Sequence, residues 1–231
     1  MLCLQCAKVC PYDNMGVGLV AADAPVRKKA LLKPYEAAFV MVALGFVAHE
    51  VIGEVRWLDR VFHFVPERLA ALVPAVPFGW FEALWFLMLF PLVVWGAIAS
   101  VGYLVGHRTG LRSLLLAAAT GAAPVVAMAH LAKATAKLTS WGGFLPLSLR
   151  DPQGLRTLEQ LGDGSLTAPA AMVGLSLLGW AMLAAVLVMA WRAWSWSRQV
   201  PGESAMAARV GLAGTAVLFT SVLSVWALTG L

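Results

Sequence analysis

The chain has 231 residues, of which 61% are apolar and 13% charged, with a formal net charge of +5 and a mean hydropathy of +0.80. Soluble globular domains run at about 45–50% apolar and about 25% charged, so the composition excludes an ordinary soluble enzyme and points to an all-α, polytopic membrane protein. The positive charge forms no basic stripe with interleaved aromatics, which argues against nucleic acid as a partner and leaves loop cations that set topology.

The first segment, residues 1–34, carries every cysteine of the chain. Cys3, Cys6 and Cys10, followed by Pro11, have the spacing C-x2-C-x3-C-P. The bacterial ferredoxin run is C-x2-C-x2-C-x3-C-P, which wraps thiolates around an iron–sulfur cubane. In that register the first cysteine of the run falls immediately before Met1, and three readings follow: the motif is truncated, its cluster has three protein ligands, or the cysteines serve no cluster. Zinc is a second use for such cysteines, but the three-residue gap followed by Pro fits the ferredoxin run better. A reducing cytoplasmic face argues against a disulfide. The absence of an apolar run among these residues speaks against a signal peptide. Arg27, Lys28 and Lys29 stand just before the first apolar stretch, where they would meet anionic headgroups.

Five apolar stretches follow, each long enough for a bilayer core of about 30 Å. They run over Tyr35–Val55, Gly79–Gly106, Ser113–Leu138, Thr167–Trp191 and Ala205–Leu231. Residues 35–231 are thus expected to form a five-helix transmembrane domain. Ten Lys and Arg fall on the N-terminal side of the membrane and seven on the other. That bias favours an inner-membrane protein with a cytoplasmic N-terminus and an external C-terminus.

The first stretch carries His49, Glu50 and Glu54. Between it and the second, Arg56–Phe78 reads as an amphipathic segment lying on the membrane surface, with Pro66, Pro74 and Pro77 expected to break it. His63 and His107 fall in loops and are expected to be solvated. The second stretch begins near Glu82. The third is rich in Ala and Gly, which let helices approach closely, so it is placed at the centre of the bundle, with Pro124 expected to kink it. It also carries His130, Lys133 and Lys137, which share one face. A Trp-Gly-Gly-Phe turn at 141–144 and a short polar helix near Pro152–Leu161 fill the next connection. Trp57, Trp80, Trp141, Trp191, Trp194 and Trp196 are expected at the interfaces, and Trp85 and Trp95 in packing.

Titratable groups at membrane depth are functional candidates by default. At about 1.5 Å per residue, His49 and His130 lie roughly 9 and 12 Å inside the outer ends of their helices. Three readings stand side by side. His49 and His130 could be the axial pair of a haem b. His130 or Glu50 could take the proton of a quinol, since His titrates near neutral pH. Or Glu50, Glu54 or Glu82 could neutralise Lys133 and Lys137 in a structural network. His49, Glu50, His130 and Lys133 are therefore the cofactor-site candidates, and Cys3, Cys6 and Cys10 the metal ligands.

Cys3-Leu-Gln-Cys6-Ala-Lys-Val-Cys10-Pro11 followed by membrane helices resembles the membrane-anchored 4Fe-4S polyferredoxins that accompany periplasmic nitrate and nitrous-oxide reductases and oxidase assembly. The resemblance covers about eleven residues. It implies a 4Fe-4S cluster at the cytoplasmic face, redox subunits as partners, and electron transfer to a quinone or haem in the membrane. The chain lacks the second four-cysteine motif of that family. The alternatives are a non-catalytic anchor or assembly subunit, and a metal-handling transporter using His49, Glu50 and His130. The lack of a Met- or Cys-rich path argues against soft-metal transport.

Overall fold

The computed structural model describes residues 31–108, 110–198 and 203–229. Cys3, Cys6 and Cys10 lie outside the described residues. Among those described there is no strand, and five helices are long and apolar enough to cross a membrane. The chain is thus an all-helical protein of the class that composition predicts.

Helix α1, Pro34–Ile52, opens with Pro at its first position, where the missing N–H would have had no partner. Glu36, three residues past the cap, accepts the backbone N–H of Lys33 at 2.7 Å and places a negative charge at the positive end of the helix. The helix closes with Gly53 N–H on the His49 carbonyl at 3.0 Å.

Helix α2, Arg56–Leu72, is the amphipathic segment. It is one helix, not several pieces: Pro66 lies inside it, and the chain breaks only after Leu72. Pro66 removes one backbone donor, yet it is buried with Phe62 one turn before it, so its ring serves as the inner face. The helix bridges α1 and the start of α3.

Helix α3, Phe78–Leu104, widens into a π-turn over Trp85–Leu89. Phe90 N–H reaches back to the Trp85 carbonyl, and Pro91 has no N–H to offer. The Phe86 carbonyl faces α1, where a Cβ on Gly45 would collide with it and with the Pro91 ring. Glycine is required there because backbone meets backbone. Trp95 is buried and donates its indole N–H to the Met41 carbonyl at 3.2 Å.

Helix α4, Leu111–Trp141, is central: it packs on α1, α3, α7 (Leu175–Ser197) and α8 (Glu203–Thr229). Ala117, Ala118, Ala119, Ala122, Val125 and Ala129 are fully buried along it. Pro124 is buried within it without ending it. Against α8 the packing is reciprocal. A Cβ on Gly121 would strike the Ala208 carbonyl, and one on Gly211 would strike the Ala118 carbonyl.

After α4 the chain makes a 3-10 turn at Gly142–Phe144, then α5, Leu145–Arg150, and α6, Leu155–Gly162. The apolar stretch predicted from Thr167 turns helical only at Leu175, and its helix runs on to Ser197. Trp57, Trp80, Trp141, Trp191 and Trp194 are exposed as an interfacial belt requires, whereas Trp196 is buried. The outward faces of the long helices carry large apolar side chains, including Phe39, Leu92, Leu104 and Val217, which is compatible with surrounding acyl chains.

Candidate functional site

The titratable groups converge where α1 ends, α3 begins and α4 ends. α1 and α4 run in one direction and α3 returns, so these ends lie together, and α2 lies across them.

Two of the carboxylates there are neutralised by lysines. Lys133 on α4 is bonded to Glu54 just past α1, and Lys137, one turn further on, to Glu50 on α1. The expected charge network is present, and the pairing within it is specific. Lys133 is buried while Glu54 is half exposed, so the pair opens toward the helix ends.

Glu82 has no such partner. Among the described residues it is faced by two histidines. His63 Nε2 is 3.0 Å from Glu82 Oε1 and His49 Nε2 is 3.8 Å from the same oxygen. The donor atoms of His49, His63 and Glu82 lie within 4.8 Å of one another. The sequence placed His63 in a solvated loop. It stands instead on α2, with its side chain 14% exposed. His107, also expected to be solvated, is buried beside the Tyr103 ring.

His63 is held from behind. Its Nδ1 lies 3.0 Å from both the carbonyl oxygen and Oδ1 of Asp59, one turn earlier. Burial lowers the pKa of the ring, but the hydrogen bond to Glu82 and the carbonyl and charge of Asp59 outweigh it, and the net shift is upward. His49 is fixed by packing. Phe86, on the π-turn of α3, stacks flat on it at 4.5 Å between centroids and 7° between planes, and His63 meets its edge at 5.6 Å. His49 Nδ1 is buried with no hydrogen-bond partner.

His130 is placed elsewhere. It faces outward on α4, with no hydrogen bond to its ring among the described residues, and packs on Phe46 at 6.2 Å. Phe46 in turn meets Phe86 at 6.4 Å. Two phenylalanine rings thus stand between His130 and His49, and the two histidines make no contact. Beside His130 an apolar groove of about 820 Å³ runs between α1 and α4, with Leu87 of α3 at its edge. Phe39, Phe46, Val126 and Leu131 form its walls, and His130 is its titratable group.

Of the four cofactor-site candidates, then, Glu50 and Lys133 belong to ion pairs, His49 to the cluster with His63 and Glu82, and His130 to the groove. The fold and this cluster define a class: an all-helical protein with five helices long and apolar enough to cross a membrane, and titratable groups gathered at one end of the bundle. No family model, curated protein or solved structure matches the chain.

Proposed function

We propose that the chain is a membrane-bound redox subunit that exchanges electrons between a 4Fe-4S cluster on its cysteine segment and a quinone in the groove beside His130. The groove carries this reading. Its volume lies within the usual range of small-molecule sites, about 300–1,000 Å³, and its walls suit an isoprenoid tail. His130 is the one group in it that can take a proton from a quinol hydroxyl as electrons leave the ring. Its ring packs on Phe46 and has no hydrogen bond among the described residues, which leaves its nitrogens open to a ligand in the groove.

The cluster half rests on the spacing of Cys3, Cys6 and Cys10. The excess of Lys and Arg on the N-terminal side supports a cytoplasmic N-terminus in an inner membrane. On that orientation His130, on the helix that begins at Leu111, stands roughly 28 Å from the inner end of α4 at about 1.5 Å per residue. A single efficient hop does not cover that distance, so the reading requires a further cofactor or a partner redox subunit.

The test uses the full chain purified anaerobically in detergent. Quinone analogue binding, followed by quenching of tryptophan fluorescence, is expected to fall about tenfold or more in His130→Leu. A broad near-ultraviolet absorbance is expected to vanish in Cys6→Ser. Quinone affinity unchanged in a folded His130→Leu variant overturns the groove assignment. Absence of both signals from folded protein overturns electron transfer and favours an anchoring subunit.

A further inference from the structure

Glu82 sits near the start of a membrane-length helix with two imidazoles before it and no lysine or arginine to neutralise it among the described residues. The nearby cations are committed, Lys133 to Glu54 and Lys137 to Glu50. Its charge is met there only by imidazole, either as a protonated His63 or as neutral rings able to share a cation, and the three side chains that meet there are two histidines and a glutamate. We infer that His49, His63 and Glu82 form a binding site for a first-row divalent cation of the zinc type, held between α1, α2 and α3.

The donor chemistry fits. Two imidazole nitrogens and one carboxylate oxygen, with a fourth position left to solvent, is a common zinc ligand set, with bonds of about 2.0–2.2 Å. Tetrahedral ligands at that bond length stand about 3.3 Å apart. The donor atoms here lie within 4.8 Å of one another, with two of the spacings at 3.0 and 3.8 Å.

The surroundings fit as well. Asp59 behind His63 Nδ1 directs that ring's Nε2 toward Glu82, the carboxylate–histidine–metal arrangement seen around bound zinc. The flat stack of Phe86 holds the His49 plane. At 3.8 Å His49 Nε2 is too far from Glu82 Oε1 for a hydrogen bond. A cation between His49 Nε2 and Glu82 Oε1 would bond to both. Side-chain exposures of 23%, 14% and 28% leave the site open to an incoming ion. The site does not depend on the quinone reading, which concerns His130.

The competing state is a proton-held His63–Glu82 ion pair with no affinity for metal. The experiment takes the full chain in detergent with Cys3, Cys6 and Cys10 changed to Ser, so that no thiolate competes. The protein is stripped with a chelator and titrated with Co²⁺ and then Zn²⁺. One Co²⁺ per chain, with the visible absorption of a four- or five-coordinate nitrogen–oxygen site and displacement by Zn²⁺, is expected. Glu82→Gln, which keeps the side-chain shape, and His63→Gln are each expected to weaken binding about tenfold or more, while His130→Ala binds as before. Helicity and a single elution peak establish that each variant is folded. No Co²⁺ absorption, or binding unchanged in either folded variant of the cluster, overturns the site.

Discussion

Lys133 of α4 is bonded to Glu54 of the α1–α2 turn, 79 residues earlier in the chain, with the lysine almost wholly buried and the glutamate half exposed. Removing one member of a fully buried pair costs about 3–5 kcal/mol, because the other charge is left uncompensated. The exposure of Glu54 screens part of that, so Glu54→Gln is expected to destabilise the bundle by about 2 kcal/mol. The double variant Glu54→Gln with Lys133→Met is expected to recover most of the loss, since no charge is then stranded. Thermal unfolding in detergent reads both. A double variant no more stable than Glu54→Gln would show that the pair is not what holds α4 to α1.

The charge network was legible in the sequence as one of three readings, though the pairing of Lys133 with Glu54 within it was not. Charges are rare in apolar stretches, so two lysines in one stretch and two glutamates at the end of another marked each other as partners. Small residues likewise marked α4 as central. His63 was not legible, because Pro66 three residues later read as a breaker and turned the segment into a loop. The signal was present in the i, i+4 spacing of Asp59 with His63 and of Phe62 with Pro66, which places a polar and an apolar pair on a helix. The partition of the carboxylates between lysines and histidines depends on how α1, α2 and α3 meet, and no single stretch encodes that. Nor does local pattern show that Gly45, Gly121 and Gly211 face another helix's backbone while Gly96 faces open space.

That contrast among glycines gives a matched test. Gly121→Ala places a methyl group against the Ala208 carbonyl, backbone that cannot rotate away. Overpacking of this kind costs about 1–3 kcal/mol. Gly96→Ala meets nothing within 4 Å and is expected to be neutral or to stabilise by about 0.5–1 kcal/mol through helix propensity. Unfolding of the two variants side by side checks the α4–α8 crossing. Equal stabilities would mean that the helices do not approach so closely.

Asp151 closes the corner between α5 and α6. It accepts the Thr157 N–H at 2.8 Å and the Thr157 hydroxyl at 3.0 Å through Oδ2. The backbone N–H of Thr157 is the largest of the causes that hold its carboxyl below the ordinary value of 3.8. A depressed pKa means that the corner is tightest above about pH 3.8 and loosens as pH falls through the lowered value. The NMR shift of the Thr157 amide is expected to titrate with a midpoint below 3.8 and to stop titrating in Asp151→Asn. A midpoint at or above 3.8 would remove the clasp.

Asp59 supplies a sharper probe of the metal assignment than the ligands themselves, because its loss leaves the three donor atoms in place. Its carboxylate touches His63 Nδ1 at 3.0 Å, yet the Asp59 carbonyl oxygen lies at the same distance. Asp59→Asn therefore keeps one acceptor for the Nδ1 proton and removes the negative charge that makes Nε2 a better donor. If His63 binds a cation, that change is expected to weaken Co²⁺ affinity toward the lower end of the 10–100-fold range for lost outer partners, with the shape of the visible spectrum preserved. If His63 only pairs with Glu82, Asp59→Asn has no spectrum to alter, and its effect is confined to the docking of α2. Conversely, a bound cation is expected to protect α2 from hydrogen exchange, since His63 is the ligand that α2 contributes. Protection that does not rise on adding Zn²⁺ would separate α2 from the site and leave Glu82 to its two histidines.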